Sequence, residues 1–156
     1  MPCALKISEA ASLAIHALGY LAVHAETPVT TRQIANRFEM SEAHLAKVLQ
    51  RLIRVDLVRS IRGPKGGFLL TREPETVTLL EVFEAIEGPF EPNRCLLSGA
   101  ICDGETCIIG KIIVEANNLL YARLEETTLT QVGSVIRGEA AQVMPMRVGR
   151  PTGTEA

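Results

Sequence analysis

Between Ser8 and Ala25, apolar side chains recur at Ala11, Ala14, Ile15, Leu18, Leu21 and Ala22. That i, i+3, i+4, i+7 spacing predicts a helix with one buried stripe, and Pro28 lies just beyond its end. Thr30 with Gln33 three residues on forms a capping box that opens a short helix through about Phe38. Glu39-Met40 makes a tight connection, Ser41 is a good N-cap, and Leu45, Val48, Leu49, Leu52 and Ile53 line a third helix. Two short helices this close together predict a helix-turn-helix. The period then changes: Leu57–Ile61 alternates, Arg62–Gly67 is a Gly/Pro-rich turn, and Phe68–Thr71 returns. A hairpin directly after a helix-turn-helix is a wing. The expected fold is therefore mainly α with a small β-hairpin, a winged helix-turn-helix.

Thr78 and Glu81 form another capping box, opening a helix over Leu79–Glu87 that Gly88-Pro89 ends. Phe90–Cys107 reads as a loop with three cysteines, and a long helix follows from about Cys107 to Glu126. Its apolar positions are Ile109, Ile112, Ile113, Ala116, Leu119, Leu120 and Leu124. Such a helix cannot bury itself on a small winged-helix core, and a twin helix in a homodimer is the simplest cover. Thr128 and Gln131 predict one more short helix, and Gly138–Ala156 a flexible tail. No internal repeat or low-complexity tract is visible.

The 156 residues are 47% hydrophobic and 22% charged, which excludes wholesale disorder. No apolar run reaches the roughly 18–20 residues of a membrane span. Met1–Ala11 lacks the basic start and apolar core of a signal peptide. Four cysteines without such a peptide imply a reducing compartment, so a cytoplasmic protein is expected. The net charge of −2 hides an asymmetry, +5 over Met1–Arg72 and −7 over Glu73–Ala156. A basic first half points to a polyanion as partner.

Between Pro28 and Arg72, nine Lys+Arg meet three Asp+Glu. In a helix-turn-helix the second helix enters the major groove N-terminus first. That places Ser41, Glu42, His44 and Lys47 toward DNA, with Arg51 one turn further along. Ser41 and the helix N-terminus suit a phosphate; Glu42 suits cytosine N4, and His44 or Lys47 suits guanine. On the wing, Arg59, Arg62 and Lys65 neutralise phosphates, while Gly66 and Gly67 let the turn lie flat against the backbone.

Cys95-x6-Cys102-x4-Cys107 sets three thiols in one short segment. Thiolates select zinc, copper(I) or iron–sulfur clusters, and three of them leave a tetrahedral set one ligand short. Unligated thiols or a redox disulfide pair fit the same spacing. His16, beside the apolar stripe of the first helix, reads as structural; His24, near its end, complements the helix dipole.

Leu13-Ala14-Ile15-His16-Ala17-Leu18 resembles the opening helix of the Rrf-two family of regulators (IscR/NsrR-like). Ser41-x3-Leu45-x3-Leu49-x2-Leu52 and Leu57-Val58-x-Ser60-x-Arg62-Gly63-x2-Gly66-Gly67-Phe68-x-Leu70 resemble its recognition helix and wing. Thr78-Leu79-Leu80-Glu81-Val82-x3-Ile86-Glu87-Gly88 is similar to the helix after the wing. The resemblance spans about Leu5 to Val132, and its most specific part is a wing followed by three cysteines. It implies a homodimeric winged-helix transcription regulator with a long C-terminal dimerisation helix. It implies double-stranded DNA as partner, with a near-palindromic operator. It also implies an iron–sulfur cluster, 2Fe–2S or 4Fe–4S, ligated by Cys95, Cys102 and Cys107, whose presence, redox state or damage by nitric oxide or oxygen changes DNA affinity. The first helix of one protomer then approaches the cluster loop of the other.

Several positions depart from the family pattern. The cysteine spacing is six then four, where five and five is common. Gly110 stands where some members place a His, and Ser12 where others place a carboxylate fourth ligand. Cys3 and Glu9 are the other candidates for that ligand, beside water or a small thiol. Asp56 occupies the usual place of a glycine before the wing.

The expected organisation is a DNA-binding domain at 1–88, a cluster-binding cysteine loop at 89–107, a dimerisation helix and short following helix at 108–132, and a flexible tail at 133–156. A cluster-free thiol switch on the same winged helix is the alternative. A small metal enzyme is remote, because Asp103 and Glu105 are the only acid–base groups between the loop's cysteines.

Overall fold

The computed structural model describes residues 7–91 and 107–138. Among them the order is α1 (Glu9–Val23), α2 (Thr31–Phe38), α3 (Glu42–Arg54), β1 (Val58–Ile61), β2 (Gly67–Leu70), a 3-10 turn (Pro74–Thr76), α4 (Leu79–Glu87), α5 (Ile108–Glu126) and α6 (Leu129–Arg137). This is the winged helix expected from the sequence, with the long fifth helix following it.

The helix starts are where capping chemistry puts them. Ser8 Oγ accepts from Ala11 N at 3.1 Å, and Thr30 exchanges bonds with Gln33. Thr78 Oγ1 accepts from Glu81 N at 3.2 Å, satisfying a donor that the first turn of α4 would otherwise leave bare. The strands pair antiparallel in the register Val58↔Leu70, Arg59↔Leu69, Ser60↔Phe68 and Ile61↔Gly67.

α1 lies at the centre. It buries Ala11, Leu13, Ala14, Ala17, Leu18 and Leu21, more than one stripe, because α6 covers one side while α3 and α4 cover the other. Each fully buried leucine stabilises the fold by roughly 1.5–3 kcal/mol. α6 approaches closely because two glycines face each other across the contact. A Cβ on Gly19 would meet Val132 Cγ1 at 2.5 Å, and one on the buried Gly133 would lie 3.5 Å from the Gly19 carbonyl oxygen.

This packing extends two of the expected boundaries. The sequence places 133–137 in a flexible tail, whereas the structure has them helical until Gly138, in the left-handed conformation at φ 77, ends α6. The winged-helix unit expected to end at residue 88 also takes in α6, since Leu129 is fully buried in the same core. The return is pinned by Leu79 N donating to Thr127 O at 2.8 Å and Leu129 N donating to Val77 O at 3.0 Å. The remainder of the expected tail, from residue 139, lies outside the described residues.

α5 leaves this body with little cover. Gly110 and Leu124 are its buried residues, while Ile108, Ile109, Ile112 and Leu119 are 76%, 55%, 60% and 60% exposed. No helix among the described residues is long and apolar enough to cross a membrane.

Asp56, the residue in the usual glycine position, adopts φ 56 between α3 and the wing. Its backbone supplies what the turn requires: Asp56 N donates to Ile53 O at 3.1 Å, and Thr71 Oγ1 donates to the Asp56 carbonyl. An aspartate tolerates this region at some cost, and a glycine adopts it freely. Asp56→Gly should therefore raise stability by about 0.5–1 kcal/mol, read as a higher denaturant midpoint at unchanged m-value.

Candidate nucleic-acid interface and cysteine segment

Between the two helices of the helix-turn-helix, Glu39 takes the left-handed conformation at φ 54, letting the chain reverse in three residues. Ser41 then caps α3, its Oγ accepting from His44 N at 3.3 Å. The hydroxyl proton of Ser41 and the first free amides of α3 remain for a phosphate. Leu45, Val48, Leu49 and Leu52 bury one face of α3, which fixes what the other faces present.

Glu42, Ala43, Lys47, Gln50 and Arg54 are exposed. Ala43, Lys47, Gln50 and Arg54 follow the i, i+4, i+7, i+11 spacing of a single face. Gln50 and Arg54 are candidate contacts that the reading of the sequence left out, although that spacing was there to find. A glutamine suits the paired donor and acceptor of adenine.

His44, half-buried, and Arg51, exposed, stand seven residues apart on a different flank, and each reaches a partner within the protein. His44 Nδ1 lies 3.5 Å from Glu9 Oε1 at the start of α1. Arg51 Nη2 donates to the Ile86 carbonyl at the end of α4. The sequence assigns Arg51 to DNA as the residue one turn beyond Lys47. The structure gives its guanidinium a protein partner in the Ile86 carbonyl while leaving the residue exposed.

The wing is built on a third backbone segment: Phe68 N donates to Val29 O at 2.8 Å, and Val29 N to Phe68 O at 3.1 Å. Its turn is closed by Gly66 N donating to Gly63 O at 2.9 Å. Arg59, Arg62 and Lys65 are exposed, and Gly66 and Gly67 are half-buried at the root of the turn. Among the described residues, Lys47, Arg54, Arg59, Arg62 and Lys65 form no ion pair. Arg72 differs, being held by Glu81 at 2.5 Å. The wing and the outward face of α3 thus offer cations with no internal carboxylate to neutralise them, the arrangement that phosphate binding requires.

Of the three clustered cysteines, Cys107 is described; Cys95, Cys102 and Cys3 lie outside the described residues. Cys107 is half-buried and caps α5, its Sγ accepting from Gly110 N at 3.2 Å. Among the described residues no group of three His, Cys, Asp or Glu is close enough to hold a metal ion. Three thiols are a donor set that suits an iron–sulfur cluster, and Cys95, Cys102 and Cys107 would be the residues to hold one. Of the fourth-ligand candidates, Ser12 is half-buried on α1, its carbonyl accepting from His16 Nδ1 at 2.7 Å. Glu9 is engaged by His44. The His16 ring packs edge-on against Phe38 with centroids 5.4 Å apart, the structural role expected of it, and His24 packs against Tyr20 at 4.6 Å.

Residues 7–134 match the family described as "Rrf2: Iron-dependent Transcriptional regulator". The chain is 28% identical over 137 residues to the "Putative HTH-type transcriptional regulator BadM" of Rhodopseudomonas palustris, covering 86% of this chain and 85% of that one. The solved structure of CymR, the global cysteine regulator of B. subtilis, is similar with a TM-score of 0.72 at 28% identity, over 84% of this chain and 98% of that one. That of T. potens IscR is similar with a TM-score of 0.69 at 26% identity, over 89% of this chain and 94% of that one. The chain belongs to the Rrf2 family of transcriptional regulators: it is a winged-helix DNA-binding protein and not an enzyme.

Proposed function

We propose that this chain is a homodimeric regulator whose operator affinity is set by an iron–sulfur cluster on Cys95, Cys102 and Cys107. The observation that carries this reading is the place of Cys107. Its thiol caps the first turn of α5, the helix whose Ile109, Ile112 and Leu119 stand exposed at the a/d spacing of a coiled-coil seam. A ligand on that thiol therefore acts where the helix joining two copies begins. When bound, the cluster supplies a centre sensitive to redox state, oxygen and nitric oxide.

The residues of the chain do the rest. α5 spaces two recognition helices about one helical turn apart on a near-palindromic operator. Lys47, Gln50 and Arg54 face the bases, while Arg59, Arg62 and Lys65 hold the backbone. Residues 89–107 form the sensing segment, with Ser12, Glu9 and Cys3 as candidates to complete the ligand set.

Iron, sulfide and visible absorption of anaerobically purified protein test the cluster beside a Cys102→Ala variant. Both elements in the parent and neither in the variant are expected. A colourless, iron-free parent would overturn the cluster and leave the second reading, a thiol switch. CymR, described as a global cysteine regulator, favours that alternative, and oxidant-dependent DNA binding is its signature.

For the wing, Arg62→Ala should weaken binding to every sequence alike and lower the slope of log K against log salt by about 1. An unchanged slope would remove Arg62 from the phosphate contacts. Lys47→Ala should instead change the preferred base at one operator position, read by selection from a randomised duplex pool.

A further inference from the structure

The last turn of α4 ties together four parts of the molecule. Gly88 and Pro89 lead from it into the cysteine segment. Phe90 folds back on it, its amide donating to Glu84 Oε1 at 2.9 Å, with its ring between Phe83 at 5.9 Å and Tyr121 of α5 at 5.5 Å. Ser8, at the start of α1, donates through its hydroxyl to the Glu87 carboxylate. Arg51 of α3 donates to the Ile86 carbonyl.

The energetic reason for the last bond lies in α4 itself. Its final turn carries no basic residue and two carboxylates, Glu84 and Glu87, opposite to what the negative end of a helix dipole favours. Arg51 supplies from a neighbouring helix the cation and the donor that the α4 carbonyls lack.

We infer that Arg51 is a positioning residue that couples the cysteine segment to the recognition helix through the Ile86 carbonyl. Gly88 follows that carbonyl by two residues, so a change in the segment beyond Gly88 acts directly on the last turn of α4. Arg51 sits on the same rigid helix as Lys47, four residues away, so the bond to Ile86 O sets the tilt of the reading face. Phe90 brings α5 to the same turn, so the residues leading into the sensing segment and the dimer helix both meet α4 at the turn that Arg51 holds. The coupling is physical contact between packed elements, and it rests on the sensing role proposed above.

The test is the ratio of dissociation constants for one operator duplex, selected by the wild-type dimer. It compares iron-loaded with chelator-stripped protein, and reduced with peroxide-oxidised protein. Wild type should change affinity at least about fivefold in one of these comparisons, the lower end of ordinary allosteric coupling. Arg51→Met keeps the aliphatic stem and removes the donors; its ratio should fall below about twofold, with iron content and dimer mass unchanged. Arg51→Lys, which keeps the charge and loses the fork, should give an intermediate ratio, and it decides the matter if Arg51→Met fails to fold. A variant that binds DNA more weakly in both states but keeps the wild-type ratio overturns the coupling and leaves Arg51 a packing or backbone contact. A ratio of one in wild type, in both comparisons, overturns the sensing role and the coupling with it.

Discussion

Gly66→Val is expected to abolish specific operator binding while leaving the helical core folded. A Cβ at Gly66 would lie 2.2 Å from the Ile61 carbonyl oxygen and 2.9 Å from that of Gly63. Both are backbone atoms of the same tight turn, so no side-chain rotation relieves the overlap and the turn must open. Arg62 and Lys65 ride on that turn. Charge-assisted hydrogen bonds are worth about 1.5–3 kcal/mol each, so losing two per wing lowers affinity by at least about 10²-fold. Far-ultraviolet circular dichroism should show little change, because the hairpin contributes eight strand residues to the fold. Wild-type affinity in this variant would take the wing out of the interface.

The second large effect concerns α5. Ile112→Lys combined with Leu119→Lys should turn the proposed dimer into a monomer at micromolar concentration. These side chains are each 60% exposed in the single chain, and burying one in a partner stabilises the assembly by roughly 1.5–3 kcal/mol. Two-fold symmetry counts every substitution twice, so the pair removes on the order of 6 kcal/mol, about 10⁴ in the dimer constant. Sedimentation or light scattering reads the mass directly. A variant that stays dimeric would place the interface elsewhere.

The DNA-reading half of the molecule was legible because its determinants are local. The capping box at Thr30 and Gln33, the N-cap at Ser41 and the Gly/Pro turn after Ile61 each act over a few residues, and all appear where the sequence puts them. What escaped depends on contacts far apart in the chain. α1 shows one apolar stripe in sequence and two buried sides in the fold, because its second side is covered by α6, more than a hundred residues later. Arg51 reads in sequence as a DNA contact one turn beyond Lys47, and the fold adds a protein partner to that reading. The carbonyl that its guanidinium meets at Ile86 is visible only once α4 is placed. Asp56 departs from the family pattern, and the structure places it in the left-handed region that a glycine adopts freely.

The closure of the chain at Val77 and Leu129 bears on how such a regulator can change by mutation. The cysteine segment proposed as the sensor lies between those two residues, yet the piece that completes the winged-helix core, with Leu129 fully buried, comes after them. A premature stop anywhere in the sensing segment or in α5 therefore deletes α6 as well, and the truncated product loses its DNA-binding fold along with its sensor. Nonsense mutations in this gene should behave as complete losses of function. A permanently active form can arise only by substitutions that spare α6.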